Sequence, residues 1–247
     1  MKISNKDYEK FSKQIILKKF GIMGQKKIIA SKILVLGMGG LGCPLSIYLA
    51  SLGVGTIGIV DNDKIELSNL NRQIIFDTSD IGKYKVDIAK KKIKKINKKS
   101  KIIPFKIRIT KNNIEKIISK FDIICDGTDN FQTRLLINDY CLKQKKILIS
   151  AAVNGFNGQL FKFDFKKKTP CFRCFMPDIP DRNQNCDTEG VTPTITGIVG
   201  TLQANEVLNS ILRLKSNLEK KMIIFNSIKM DFRKVQLSIN KKCTNKC

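Results

Sequence analysis

The sequence contains no histidine and no tryptophan, and its 21 acidic side chains face 46 basic ones. Without an imidazole, neither a Ser-His-Asp nor a Cys-His catalytic group can be assembled within the chain. A metal held by nitrogen or sulfur must therefore rest on cysteine, of which there are eight. Long apolar runs are missing too. The segment Lys32-Ile33-Leu34-Val35-Leu36-Gly37 is far shorter than the ~20 residues that span a bilayer. The opening residues, Met1-Lys2-Ile3-Ser4-Asn5-Lys6-Asp7, carry no apolar signal core or cleavage site, so a cytoplasmic protein with no membrane partner is expected. The formal charge of +25 would suit a nucleic-acid partner. Yet lysines occur in nearly every segment, aromatics make up only 7%, and no stacking module or groove helix is found. No nucleic-acid function is expected, and the charge should instead attract acidic partners and nucleotides.

What is present reads as one large domain, because 247 residues can bury a sizeable core and no linker or internal repeat interrupts them. Residues 8–19 place Tyr8, Phe11, Ile15 and Ile16 on one helical face. Residues 32–37 are an apolar run ending in glycine, as expected of a strand buried on both faces, and 41–52 read as the following helix. A second strand, 56–61, ends in a carboxylate. A polar stretch, 62–81, precedes a helical period over 86–96. Strand-like segments 102–109, 121–126 and 146–150 then alternate with helical ones at 114–119 and 131–143. This alternation predicts an α/β fold with a mostly parallel sheet covered on both faces. The pattern changes after Ser150. Residues 158–165 alternate like a half-exposed strand, 170–193 read as a long polar loop, 196–214 as a helix, and 222–226 with 232–239 as an antiparallel hairpin.

Between the first strand and its helix lies Gly37-Met38-Gly39-Gly40-Leu41-Gly42, a G-x-G-x-x-G loop. Glycines there permit a tight turn and let backbone N–H groups approach a phosphate at a helix N-terminus. Asp61, ending the next strand, is placed to bond a ribose hydroxyl. These features suit a dinucleotide-dependent oxidoreductase as well as any other nucleotide enzyme.

Further motifs separate those readings. Lys13-Gln14-Ile15-Ile16-Leu17, the glycine loop, Asp61-Asn62-Asp63, Ser68-Asn69-Leu70-Asn71-Arg72-Gln73, Lys85, Asp126-Gly127-Thr128-Asp129-Asn130, Cys171-Phe172-Arg173-Cys174 and Gly200-Thr201-Leu202-Gln203-Ala204 follow one another in that order. With them the chain resembles, over nearly its whole length, the ThiF/MoeB/HesA group, the bacterial relatives of ubiquitin-activating enzymes. The resemblance implies a Rossmann-like doubly wound sheet extended by antiparallel strands. It divides the single domain 1–247 into a nucleotide-binding half, 1–150, and a half for carrier docking and zinc, 151–247. It also implies ATP-dependent adenylation of the C-terminal glycine of a ubiquitin-like sulfur-carrier protein, which then accepts sulfur from a separate donor protein.

By the same resemblance Gly37, Gly39, Gly40, Gly42 and Asp61 face the nucleotide, Asn69, Arg72 and Lys85 the phosphates, and Asp129, beside Asn130, Mg²⁺. The chemistry agrees with these assignments. A triphosphate under attack must be neutralised and positioned, and two cations with a hard oxygen ligand do that. The plainer alternatives are that Arg72 and Lys85 are ordinary surface cations and that Asp129 caps the helix beginning near Asn130. In the family an arginine on the N-terminal helix of a second subunit also reaches ATP, which implies a homodimer. Lys13 stands at that place and keeps the charge without the planar fork. Within the group, residues 76–81, 153–160 and 177–186 look closer to the thiamine branch than to the molybdopterin branch. A catalytically silent docking protein is the remaining alternative.

Cys171 and Cys174, with Cys243 and Cys247, form two close pairs, and four thiolates make a closed structural zinc site. The second pair has three intervening residues where the family has two. Cys186 coincides with the family's loop cysteine, which implies a part in sulfur handling, although the neighbouring acid does not favour a thiolate. Cys43, Cys125 and Cys141 sit in apolar segments and are expected in the core.

Overall fold

A computed structural model describes residues 3–177, 190–215 and 218–245. Five strands, β1 (Lys32–Leu36), β2 (Thr56–Val60), β3 (Lys101–Phe105), β4 (Ile123–Asp126) and β5 (Ile147–Asn154), lie parallel in the spatial order β3-β2-β1-β4-β5. Three antiparallel strands, β6 (Asn157–Asp164), β7 (Lys221–Asn226) and β8 (Asp231–Gln236), extend this into one eight-stranded sheet. The order reverses between β1 and β4, where an open α/β sheet leaves a crevice at its strand ends.

The side-chain period of two builds two cores. Ile33 and Val35 of β1 point into one apolar cluster, Leu34 and Leu36 into the other. The first cluster is closed by α2 (Gly21–Ala30), α3 (Gly42–Leu52), α4 (Lys85–Ile96) and α8 (Pro193–Leu212), through residues such as Ile28, Leu45, Ile93 and Val199. The second is closed by α5 (Ile114–Ile118), α6 (Phe131–Lys143) and α7 (Phe172–Phe175). Each fully buried Ile or Leu stabilises the fold by roughly 1.5–3 kcal/mol. The doubly wound sheet expected from the sequence is therefore the one observed.

Several boundaries differ. The leading helix, α1 (Asn5–Ile15), begins at a capping box made by Ser4 and Asp7 and ends before Ile16. Phe11 and Ile15 are buried, but Tyr8 and Ile16 are exposed, so the expected four-residue face is only half used. The second helix, α2, was not anticipated. The strand expected over 102–109 stops at Phe105. It is the sheet edge, where Pro104 is tolerated. The segment 170–193 is not wholly loop, since α7 lies within it, and Pro193 already starts α8 at the position where its missing N–H is harmless. Among the described residues no helix is long and apolar enough to cross a membrane.

Candidate nucleotide cleft and cysteine cluster

The glycine loop leaves β1 through Gly37, whose φ of +90° lies in the left-handed region. It closes on itself at Gly42, where a Cβ would sit 1.9 Å from the Gly37 carbonyl oxygen. Only a hydrogen fits there. A Cβ on Gly39 would instead meet nothing within 4 Å, so the loop offers bare backbone toward open space just before the N-terminus of α3. Such a terminus favours an anion.

Asp61 follows β2 and braces the loop. Its carboxylate accepts from the Met38 N–H at 2.8 Å and from the Asp63 N–H at 2.8 Å. Burial raises its pKa above the ordinary aspartate value, against the opposing pull of Lys85 and these two N–H groups. Lys85, the first residue of α4, is buried, and its ammonium donates to Asp63 at 2.9 Å. It is therefore a fixed cation at the cleft wall and not one of the many solvated lysines. Asn69 is buried in a short 3-10 turn, its side-chain oxygen accepting from the Glu66 N–H at 3.2 Å. Half-buried Arg72 is steadied by the Ser68 carbonyl at 2.9 Å and by Asn71.

The loop after β4 supplies the acid. Asn130, not Asp129, is the N-cap of α6: its side-chain oxygen accepts from the Thr133 N–H at 2.8 Å. The capping alternative for Asp129 is thereby corrected. Its carboxylate is exposed and takes a long bond of 3.4 Å from the Asn130 amide. Gly37, Gly39, Gly40, Asp61, Asn69, Arg72, Lys85, Asp129 and Asn130 all line a single cleft of about 990 Å³. Its far end runs onto β5 and β6 at Val153, Asn154, Asn157 and Gln159.

Two expected nucleotide residues do not line it. Gly42 is turned against Gly37, so its role is to close the loop rather than to face a ligand. Lys13 is exposed on α1, away from this chain's own cleft.

Sequence reasoning passed over Arg134, which also lines the cleft although only 5% exposed. A basic residue in the first turns of a helix opposes the macrodipole, and that was the available signal. Arginine itself was a second one. Seven of the 46 basic residues are arginine, and Arg72, Arg108 and Arg134 all line this cleft.

The cysteines gather elsewhere. Sγ atoms of Cys171, Cys174 and Cys243 lie within 4.8 Å of one another, all buried. Cys171 and Cys243 are 3.6 Å apart, too far for a disulfide and close to the ~3.8 Å edge of a tetrahedron with 2.3 Å zinc–sulfur bonds. The Cys171 N–H donates to the Cys174 sulfur at 3.4 Å, an outer-shell contact that suits a thiolate. The donor set thus fits zinc. Asn245 ties the closing segment in by donating to Asp139 at 2.8 Å, and Arg173 grips the same carboxylate with two nitrogens. Burial pushes Asp139 upward, but the bonds from Arg173, Asn245 and Asn138 outweigh it and hold the carboxyl below its ordinary range. Cys186 and Cys247 lie outside the described residues. Cys43, Cys125 and Cys141 are core residues as expected, and burial lifts the Cys43 thiol to about 12, which leaves it unreactive at neutral pH.

Fold and cleft together define an α/β nucleotide-binding protein of the doubly wound class, with a buried cysteine cluster at α7, whose Phe172 and Phe175 also line the cleft. The ThiF family model matches residues 11–245, and the chain belongs to the ThiF family. It is 39% identical over 238 residues to the adenylyltransferase and sulfurtransferase MOCS3 of Culex quinquefasciatus, covering 96% of this chain and 54% of that protein. It is 42% identical over 237 residues to the probable molybdopterin-synthase adenylyltransferase of Porphyra purpurea, covering 95% of this chain and 62% of that protein. The chain thus spans about half to three-fifths of the length of these curated relatives. A solved structure of E. coli MccB with ATP superposes with a TM-score of 0.81 at 20% identity, covering 99% of this chain and 82% of that one, and shares the fold.

Proposed function

We propose that this chain transfers AMP from ATP to the C-terminal carboxylate of a ubiquitin-like sulfur-carrier protein. One observation carries the reading. The glycine loop, Asp61, Arg72, Lys85 and Asp129 meet in one cleft that continues onto β5 and β6, leaving room for an incoming peptide end. An oxidoreductase has no need of two cations and an acid at the phosphates, and intact charged groups argue against a silent adaptor. In the reaction a carboxylate oxygen bonds to the α-phosphorus, the bond to the β-phosphate oxygen breaks, and pyrophosphate leaves with the electron pair. Asp61 holds the glycine loop and the ribose, while Asn69, Arg72 and Lys85 neutralise the phosphates. Asp129 would hold Mg²⁺, which when bound offsets the charge that builds on the departing oxygens.

The carrier's tail is assigned to the polar strip at Asn154, Asn157 and Gln159. The division into a nucleotide half and a docking half, at about residue 150, follows from that placement. Zinc is assigned to Cys171, Cys174 and Cys243 with Cys247 as the fourth ligand, and Cys186 to sulfur transfer after adenylation, from a separate donor. The exposed apolar residues Ile16, Leu17, Ile22 and Met23 cluster in sequence around the end of α1 and the start of α2, beside Lys13. They support a homodimer in which Lys13 reaches the partner's nucleotide.

The names of the curated relatives favour a carrier of the molybdopterin-synthase type over the thiamine type that residues 76–81, 153–160 and 177–186 had suggested. Carrier-dependent ATP–pyrophosphate exchange, run with both carrier types, tests the proposal. Exchange is expected with the molybdopterin-type carrier and should vanish in Asp129→Ala, with the circular dichroism spectrum unchanged. Exchange with neither carrier, or full turnover in the variant, would overturn it.

A further inference from the structure

Resting on the reading of Asp129 as the acid that holds the metal, we propose that Arg134 is a positioning residue that sets the geometry of that acid. In the turn between β4 and α6 the Gly127 N–H donates to the Leu36 carbonyl at 3.0 Å, and the peptide joining Thr128 to Asp129 is fixed by side chains. The Thr128 carbonyl receives the Arg134 Nη2 donor at 2.7 Å, and the same nitrogen reaches the Ala151 carbonyl of β5 at 3.1 Å. Because the Thr128 carbonyl shares a peptide plane with the Asp129 nitrogen, fixing the oxygen fixes where the Asp129 side chain leaves the backbone.

The other side of Thr128 is held as firmly. Its N–H and hydroxyl both donate to Asp126 Oδ1, at 3.0 and 2.6 Å. The second oxygen of Asp126 accepts from Ser150 at 2.7 Å and lies 3.6 Å from the Arg134 Nε. A fully buried carboxylate and a nearly buried guanidinium therefore clamp Thr128 from its two ends. Phe172 of α7 covers the guanidinium at 5.7 Å.

Two observations argue that this is more than a structural ion pair. Burying a charge at the N-terminal end of α6 is unfavourable by both desolvation and helix dipole. Apolar residues in place of both Arg134 and Asp126 would fill the space without that penalty, but they could not orient two carbonyls. The sequence also supplies lysine almost everywhere it needs a cation, yet has arginine here. Lysine is a point charge on a flexible stem and cannot hold one nitrogen on both carbonyls while a second nitrogen of the same rigid plane faces Asp126.

Arg134→Lys keeps the charge that Asp126 requires and loses the fork. Where a folded single variant is not obtained, Asp126→Asn/Arg134→Met removes the buried pair together. Binding of Mn²⁺ in the presence of ATP, read from the loss of the free-ion electron paramagnetic resonance signal, is measured beside ATP binding in chelator and thermal unfolding. The expected result is metal affinity weakened about 10–100-fold, the range typical for loss of an outer-shell partner. Metal-free ATP affinity should change less than about two-fold, and in an Asp129→Ala background Arg134→Lys should add no further loss. A folded variant with wild-type metal affinity, or one that weakens ATP equally without metal, overturns the role of Arg134 while leaving the nucleotide reading standing. Wild-type protein whose ATP complex binds no Mn²⁺ overturns the reading of Asp129 itself.

Discussion

At the scale of single residues, glycines that look equivalent in the motif do different jobs. A methyl group on Gly42 would collide with the Gly37 carbonyl, whereas one on Gly39 would occupy empty space in the cleft. Gly42→Ala is expected to destabilise the protein by about 1–3 kcal/mol or more, as overpacking does, in urea unfolding. Gly39→Ala should unfold like the wild type and yet bind ATP more weakly in equilibrium dialysis. Asp61 gives a pH signature. Its folded-state pKa is raised, chiefly by burial, so it holds its proton to a higher pH than in the unfolded chain. Lowering the pH through that raised value should loosen the Met38 contact and weaken nucleotide binding. Over the same window, down to the unfolded value, the cost of burying the ionised form is relieved and the ligand-free protein gains stability. Asp61→Asn should remove both dependences; calorimetric titrations across pH that show the variant still following the wild-type curve would contradict this. The glycines and the acid could be read from the sequence because backbone chemistry dictates them. Arg134 was marked in the sequence only by its type and its place early in a helix; its role could not be read there, since its meaning lies in carbonyls of a turn and of a distant strand.

At the scale of elements, several segments were legible nearly to the residue, among them the periodic 86–96, which α4 reproduces with one residue added, whereas the periodic 8–19 was displaced to α1. Failure was concentrated where tertiary contact decides. The segment of α2 begins with glycine, has no side-chain cap and little amphipathic contrast, and is helical because α1 and α8 pack against it. α7 is only four residues long and is held by the cysteine cluster at its two ends and by the Phe172 N–H donating to buried Asn138 at 2.8 Å. Lys162 of β6 and Glu206 of α8 form an ion pair of 2.7 Å, both buried, which no local pattern foretold. Glu206→Gln leaves an uncompensated ammonium in the interior and should cost about 3–5 kcal/mol in chemical denaturation. Lys162→Met with Glu206→Leu, of similar volume, should recover most of that loss. Equal destabilisation in both variants would show that the pair does not act as a unit.

At the scale of the whole molecule, two regions far apart in sequence share one sheet, and a cysteine cluster fastens the closing segment to α6 and α7. Metal analysis is expected to find one zinc per chain. Strong chelation should lower the thermal midpoint and expose the cluster to thiol reagents, while Cys43, Cys125 and Cys141 stay unmodified until the chain unfolds. A protein whose midpoint ignores the chelator would argue against a structural metal. One further brace crosses the sheet itself. Phe121, just before β4, packs its ring on Gly58 of β2 beside Leu34, so closely that a Cβ on the glycine would come within 2.4 Å of the ring. The aromatic plug reaches over β1 and fits a hole that exists only because β2 lacks a side chain there. Enlarging the hole's floor therefore demands shrinking the plug. In a randomised library selected for soluble expression, alanine at position 58 should be recovered together with a smaller residue at 121 far more often than by itself.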